Sequence, residues 1–468
     1  MRISVGLTVI VAVVVLIAVL IVGQTLIQPP RPLITFARFS PDVITPNADG
    51  DADVTEFSYG ITRNARISLV FENENGQQFF FRQDDIRAAA DYQVLFSGVV
   101  DGFTLPGETI DGDVLRRLIP DGRYAWTLTA ADAETGATEQ QTGTLVVTAA
   151  TVELPEMTSF SLSSQVFTPN QDGIEDRVYI NIYLNKDADL TVYLEDAAGQ
   201  QIFIPESREA NEKADAGGLR HAFDYDGGID RGVDPPPDGD YTVVAIAQDR
   251  EGQSTRRTVS LRIESGGTPQ AEIAPQPNGI DVAFTVVPWE DRFLTTPDRA
   301  GDLLPLPDDM DDLRFQAISL PIGDLLVFKL IVENYGEVPI RTSGPWPGTV
   351  YEQDQIWGAL GVYEQSGAWR VGVQCSTSSD SFPWRWAIGT PDTLTQQVDA
   401  GSGNTYYYLP PGERSVVWGA VRMTRLIEAR NPQQCWAGLI HEDVGISVRN
   451  ARVGARDITL IEQSTQDG

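Results

Sequence analysis

One stretch of this chain occurs twice, and that duplication limits the fold more than any other feature. Thr45-Pro46-Asn47-Ala48-Asp49-Gly50 returns 123 residues later as Thr168-Pro169-Asn170-Gln171-Asp172-Gly173, and Asp53 and Asp176 follow at the same offset. The register holds through Ile67-Ser68-Leu69-Val70-Phe71-Glu72 against Leu190-Thr191-Val192-Tyr193-Leu194-Glu195, and through Gly76-Gln77-Gln78 against Gly199-Gln200-Gln201. Further on, Pro120-Asp121-Gly122-Arg123-Tyr124 meets Pro237-Asp238-Gly239-Asp240-Tyr241 at an offset of 117, with Asp132 and Asp249 closing both matches. The length change falls in the irregular middle of the copy, since loops absorb insertions and strands do not. Two tandem copies of one structural unit are therefore expected, at 36–150 and 151–264.

Between the landmarks the residues alternate. Val178-Tyr179-Ile180-Asn181-Ile182-Tyr183-Leu184 and Tyr241-Thr242-Val243-Val244-Ala245-Ile246-Ala247 have the two-residue period of half-buried strands. Asn75-Gly76, Ala198-Gly199, Asp121-Gly122 and Asp238-Gly239 punctuate them as turns, the last two as tight hairpin turns in which proline presets φ and glycine takes a positive φ. Helical periodicity is confined to a short stretch near Gln83 to Ala90. The expected fold class is all-β, with each copy an immunoglobulin-like sandwich.

The run Thr-Pro-Asn-x-Asp-Gly-x-x-Asp, the strand ending near Gly-Gln-Gln, Phe223-Asp224-Tyr225-Asp226-Gly227 and Pro-Asp-Gly-x-Tyr together resemble the immunoglobulin-like domain of the flagellar hook-capping protein. They also resemble related modules of secreted and gliding-motility-associated proteins. The resemblance covers about residues 36–263, and the first copy departs from it at Phe96-Ser97-Gly98. It implies a fold and not an activity, because such modules act as spacers and as binding units.

From Val5 to Gly23 the chain runs VGLTVIVAVVVLIAVLIVG without a charge. A helix of that length covers most of a hydrocarbon core ~30 Å thick. Arg2 precedes it and the next basic residue is Arg31, so the positive-inside rule keeps the amino terminus in the cytoplasm and exports the rest. Residues 1–28 read as a short cytoplasmic stub and transmembrane anchor, with a cleaved signal peptide as the alternative. The prolines that follow make 29–35 an extended spacer.

A glycine- and proline-rich linker, 265–279, separates the repeats from a last region, 280–468, that holds eight of the nine tryptophans, from Trp289 to Trp436. Strands are expected there at Leu325–Glu333, Trp369–Cys375, Thr405–Leu409, Ser415–Val421 and Val444–Val448, which reads as a third β-sandwich. The only cysteines, Cys375 and Cys435, lie in it. An exported compartment favours a disulfide, worth roughly 3–4 kcal/mol in the chain-entropy model; two buried thiols are the alternative.

A formal charge of −32 repels phosphate backbones, so no nucleic-acid partner is expected. Asn47, Asp49, Asp51 and Asp53, and in the second copy Asn170, Asp172 and Asp176, space oxygen donors around a glycine bend as calcium loops do, which makes calcium the one candidate cofactor. Asx turns that satisfy local amides are the other reading of the same residues. His221 and His441 are the only histidines, and neither has metal-ligand spacing. With no nucleophile elbow or phosphate loop either, an enzyme is not expected. Trp346, Trp384 and Trp386 are candidates for an exposed binding platform, the last two on one strand face. The composite expectation is a non-enzymatic, membrane-anchored envelope or cell-surface protein acting as spacer and adhesion module. Its partners would be the membrane and an envelope protein or glycan. A glycan-binding or glycan-active last region is the alternative.

Overall fold

The computed structural model describes residues 5–26, 31–207, 219–293, 302–311, 317–361, 363, 365–399 and 402–462. Residues 1–4 and 27–28 of the expected stub and anchor, and Pro29-Pro30 of the expected spacer, lie outside them. Val5–Leu26 is a helix of 22 residues. Among the described residues, no helix is long and apolar enough to cross a membrane. The other described residues form strands, turns, irregular segments and short 3-10 segments. Gln83 to Ala90, where helical periodicity was expected, instead ends one strand, Gln78–Arg87, and begins another, Ala90–Phe96.

The chain divides into two compact units, one of Met1–Ser161, Asn181–Phe223 and Thr242–Val259, the other of Leu162–Ile180, Asp224–Tyr241 and Ser260–Gly468. The division runs through the second repeat. Its strands nevertheless keep the offset of the duplication: Thr55–Ile61 corresponds to Val178–Leu184, and Val43–Ile44 to Val166–Phe167.

In the first unit, the first repeat is built from two sheets. Ile34–Ser40, Thr55–Ile61 and Ala90–Phe96 form one; Val43–Ile44, Thr138–Val147, Gly122–Asp132, Ala65–Glu72 and Gln78–Arg87 form the other. Strict alternation in Ala65–Glu72 sends Ile67, Leu69 and Phe71 fully inward. Each such side chain stabilises the fold by about 1.5–3 kcal/mol relative to exposure. Phe39, Phe57, Phe71, Phe96 and Trp126 meet in the middle, with Phe39 and Phe57 centroids 4.5 Å apart and Trp126 edge-on to Phe57 at 5.5 Å.

Where the first copy departs from the repeat pattern, the structure gives the reason. After Phe96 the chain forms a hairpin, Val99–Asp101 with Asp113–Leu118, which pairs with the second repeat through Arg116 opposite Ser254 and Val114 opposite Thr255. Fully buried Gln253 accepts from Leu118 N (3.2 Å) and donates to the carbonyls of Thr151 (3.0 Å) and Glu153 (2.9 Å). The extra length of copy one is thus spent on its junction with copy two.

Pro-Asp-Gly-x-Tyr is a corner and not the hairpin turn expected from its residues, since Asp113–Leu118 does not pair with Gly122–Asp132. Tyr124 Oη donates to the Pro120 carbonyl (2.6 Å), and Tyr241 Oη to that of Pro237 (2.8 Å). Asp121 accepts from the amides of Ala149 and Ala150, and Asp238 from those of Ser265 and Gly266. A tyrosine hydroxyl returning to the backbone in this way is a known corner device of immunoglobulin-like sandwiches.

In the second unit, residues 271–461 supply two further sheets. Ala271–Ala274, Leu325–Asn334, Arg414–Arg422 and Val350–Glu352 run in that order, with Val282–Val287 also on Leu325–Asn334. The larger sheet runs Ile318–Pro321, Val453–Ile461, Gln433–His441, Trp369–Cys375, Ile340–Thr342, Thr405–Leu409, Thr395–Val398, with Trp384–Ala387 joined to Trp369–Cys375. Phe328, Leu330, Val371, Val373, Trp386 and Val417 belong to their common core. Of the expected strands, only Val444–Val448 fails. It is exposed, with Val448 95% accessible, and the strands flanking it are Gln433–His441 and Val453–Ile461. Cys375 and Cys435 stand opposite each other on neighbouring strands and are joined in a disulfide.

Two stability measurements check this account. Tyr124→Phe removes one buried hydrogen bond and should cost about 1 kcal/mol in chemical denaturation without altering the far-ultraviolet spectrum. Cys435→Ser opens a crosslink of sequence separation 60, and the transition of the C-terminal region should lose about 3–4 kcal/mol, an effect that reductant reproduces in the native chain.

Candidate functional site

The two acidic loops share one geometry. In the first, Asp53 Oδ1 accepts from the amides of Asn47 (3.0 Å) and Ala48 (2.8 Å), and Oδ2 from that of Gly50 (2.7 Å). Asn47 Oδ1 accepts from Asp49 N (3.0 Å), Asp49 Oδ1 from Asp51 N (2.8 Å), and Thr45 Oγ1 donates to the Asp51 carbonyl (2.7 Å). The Asn47 amide, with those of Gly50 and Ala48, holds the Asp53 carboxyl below its usual range.

The second loop repeats this. Asp176 accepts from the amides of Asn170 (3.2 Å), Asp172 (3.2 Å) and Gly173, Asn170 Oδ1 from Asp172 N (3.0 Å), and Thr168 Oγ1 donates to the Ile174 carbonyl (2.6 Å). Even the left-handed residues correspond, Ala48 with Gln171 and Ala52 with Glu175.

These bonds are the ones that the Asx-turn reading of the two loops calls for. Asn47, Asp49 and Asp53, and likewise Asn170, Asp172 and Asp176, turn side-chain oxygens onto nearby amides. Among the described residues, Asp51 included, no group of three or more Asp, Glu, His or Cys is placed to hold a metal ion.

What separates the copies is burial. Asp49 is exposed, whereas its counterpart Asp172 is buried. Asp172 Oδ2 accepts from Tyr408 Oη (3.0 Å), and the Gln171 carbonyl accepts from His441 Nε2 (2.7 Å), whose ring stacks on Trp369 at 4.3 Å. A β-carbon on Gly173 would stand 1.9 Å from the Ser366 carbonyl oxygen, and one on Gly367 would stand 2.1 Å from the Asp172 carbonyl carbon, so both positions require glycine. Arg341, itself buried, donates to the same Ser366 carbonyl. The second loop is thereby a plug seated on the C-terminal region.

Beside the seat lies a buried ion cluster. Glu442 binds Arg370 Nη1 at 3.0 Å and Arg385 Nη1 at 2.7 Å, with the Arg370 side chain fully inaccessible. Arg370 Nε also donates to the Ser343 carbonyl (2.7 Å) and Nη2 to that of Tyr363 (2.9 Å). Burial lowers the Arg370 pKa, and Glu442 opposes that shift. No local pattern in the sequence announces these three residues. A charge inside an otherwise apolar run, as in Trp369-Arg370-Val371-Gly372-Val373, was the available signal.

The tryptophan platform is corrected. Trp384 and Trp386 do share one face, as expected for an extended pair, but it is the inner face, with accessibilities of 2% and 0%. Trp386 Nε1 donates to the Thr349 carbonyl (3.0 Å), and its ring meets Tyr351 edge-on at 5.0 Å. Trp346 is partly buried against the core, edge-on to Tyr407 at 5.0 Å. None of the three forms an open aromatic surface.

No family model matches the chain, and no curated protein matches it. Among solved structures it is similar to the tetra-tandem repeat in the extending region of a large adhesion protein, at 11% identity over 86% of this chain and 81% of that one, TM-score 0.16. It is also similar to a two-domain fibronectin type III segment of chicken tenascin, at 12% identity over 49% and 98%, TM-score 0.15. A third similar structure is a 1.5-MDa bacterial ice-binding adhesin, at 9% identity over 92% and 96%, TM-score 0.19. At such scores the chains do not superpose as wholes, and the likeness carries no functional argument.

Glu442→Gln tests the ion cluster. It leaves two guanidinium groups in the interior without a counter-charge, and the C-terminal transition should fall by about 3–5 kcal/mol. Equilibrium unfolding followed by tryptophan fluorescence reads this directly.

Proposed function

We propose that this is a non-enzymatic envelope protein, held in a membrane by its N-terminal helix, whose two repeats act as a spacer carrying the C-terminal region outward. The observation that carries the reading is the helix itself. Val5–Leu26 has no acidic residue in its first turn and no basic residue in its last, and Val9, Ile10, Leu16 and Leu20 are each more than half exposed. A helix apolar on every side needs an apolar surround, which a bilayer core supplies. The disulfide fits an oxidising exterior.

The described polar sites have structural work already. His221 pairs with Glu206 (2.7 Å), and His441 holds the loop carbonyl. Gln253 in one unit, and Tyr408 with His441 in the other, each fasten a segment of a repeat within its own unit.

Membrane fractionation tests the anchor. The full chain should remain with membranes after carbonate washing and become soluble when residues 1–28 are deleted. Recovery of a soluble mature chain beginning near Gln24 would replace the anchor by a cleaved signal.

A further inference from the structure

Three loops of the C-terminal region, at 353–356, 377–383 and 424–427, meet around a cleft of about 360 Å³ that the spacer reading does not use. That volume is within the ~300–1,000 Å³ of small-molecule sites. The loops follow Val350–Glu352, Trp369–Cys375 and Arg414–Arg422. The first and third of these strands are parallel neighbours and lead out at one end, while Trp369–Cys375 belongs to the other sheet, so both layers of the sandwich contribute to the cleft. Loops at one end of a rigid sandwich are a common place for recognition.

The walls are held from behind. Gln353 Oε1 accepts from the amides of Thr424 (2.8 Å) and Arg425 (2.6 Å), which fastens the first loop to the third. Glu352 N donates to Gln355 Oε1 (2.9 Å), Ser378 Oγ accepts from Cys375 N (3.1 Å), and Trp357 N donates to the Pro383 carbonyl (2.9 Å). The disulfide at Cys375 anchors the second loop at its root. Walls fixed in this way need little further ordering when a ligand enters.

The lining is chemically mixed. Asp354 and Asp380 are exposed carboxylates, which only accept, and exposed Arg425 only donates. Asp354 and Arg425 enter no ion pair among the described residues, and Asp380 accepts from its neighbour Ser379 (3.1 Å). Gln355 has used its side-chain oxygen on Glu352 N, which leaves its amide group to donate. Ile356, Pro383 and Ile427 add apolar faces. Trp384, 2% exposed, also lines the cleft, and its indole N–H has no acceptor among the described residues. Buried donors are almost always paired, so one left open at a cleft marks a place that a ligand oxygen or a bound water completes. The tryptophan supplies a donor and part of the wall, not an open stacking face.

These groups select a ligand by exclusion. An anion such as phosphate would meet two carboxylates and a cation would meet the guanidinium, so a charge of either sign is opposed somewhere in the cleft. A hydroxyl both donates and accepts from one atom, and therefore satisfies an acceptor-only carboxylate and a donor-only guanidinium, amide or indole alike. A ring with hydroxyls on its rim and C–H groups on its faces also covers the apolar part of the wall. We propose that this cleft binds a neutral hexopyranose sugar through Asp354, Asp380, Arg425 and Gln355. The site belongs to the C-terminal region alone, so its failure would leave the spacer reading of the repeats untouched.

Saturation-transfer NMR on the purified full-length chain, held in a detergent without a sugar headgroup, tests this with D-glucose, D-galactose, D-mannose and N-acetyl-D-glucosamine as probes. At least one should bind with a Kd of about 1–10 mM, the strength open to a ligand of that size. Asp354→Ala and Arg425→Ala should each weaken that binding by about tenfold or more, because each removes a charge-assisted hydrogen bond. Both side chains are exposed, so an unchanged melting transition serves as the folding control, and Asp380→Ala on a different loop replaces either variant that fails it. Inorganic phosphate and methylguanidinium are the charged comparison probes. Tighter binding of either than of any sugar, no sugar binding up to about 50 mM, or sugar binding that the variants leave unchanged overturns the proposal.

Discussion

The structure depends on one small device used twice, a carboxylate that gathers backbone amides. Asp53 and Asp176 each accept from three N–H groups of the loop before them, which fixes a turn containing two left-handed residues and a glycine. Buried or half-buried amides left unpaired would each cost free energy comparable to a lost hydrogen bond. The aspartate removes that cost with groups of the loop itself. The same loop geometry is solvated in one copy and buried against Tyr408 and His441 in the other.

The two copies show how duplication frees a motif for new use. In the first, the loop faces water and the junction is made elsewhere, by the hairpin from Val99 to Leu118 and by Gln253. In the second, Asp172, Gln171 and Gly173 are taken up by Tyr408, His441 and Gly367. The close approach of two glycines lets backbone meet backbone, and the hydroxyl and imidazole then satisfy the polar groups that seating removes from water.

Around that seat the C-terminal region invests in buried polarity. The Arg370–Glu442–Arg385 cluster links Trp369–Cys375, Trp384–Ala387 and the end of Gln433–His441. Buried ion pairs add little net stability compared with apolar packing, but breaking one is costly, so they favour a single arrangement of the strands they join. The cluster and His441 lie on neighbouring residues, which ties the order of the seat to the order of the sheet beneath it.

Much was legible in the sequence because it depends on neighbours in the chain. The duplication placed corresponding strands at one offset, alternation located the strands and their inner faces, and two cysteines in a chain expected to be exported implied a bridge. The same local reading left the acidic loops open between calcium and Asx turns, because both use oxygen donors at the same spacing; only coordinates reveal that the oxygens point at amides. Trp384 and Trp386 share a face by periodicity alone, yet which face is inner depends on Arg414–Arg422 of the other sheet, whose Gly419 lies against the Trp386 ring. Val444–Val448 looked like a strand because composition reports propensity, and the exposed loop was decided by where its flanking strands pair. The seat itself was out of reach, since Asp172 and Tyr408 are 236 residues apart and no alternation or turn signal records a contact at that separation.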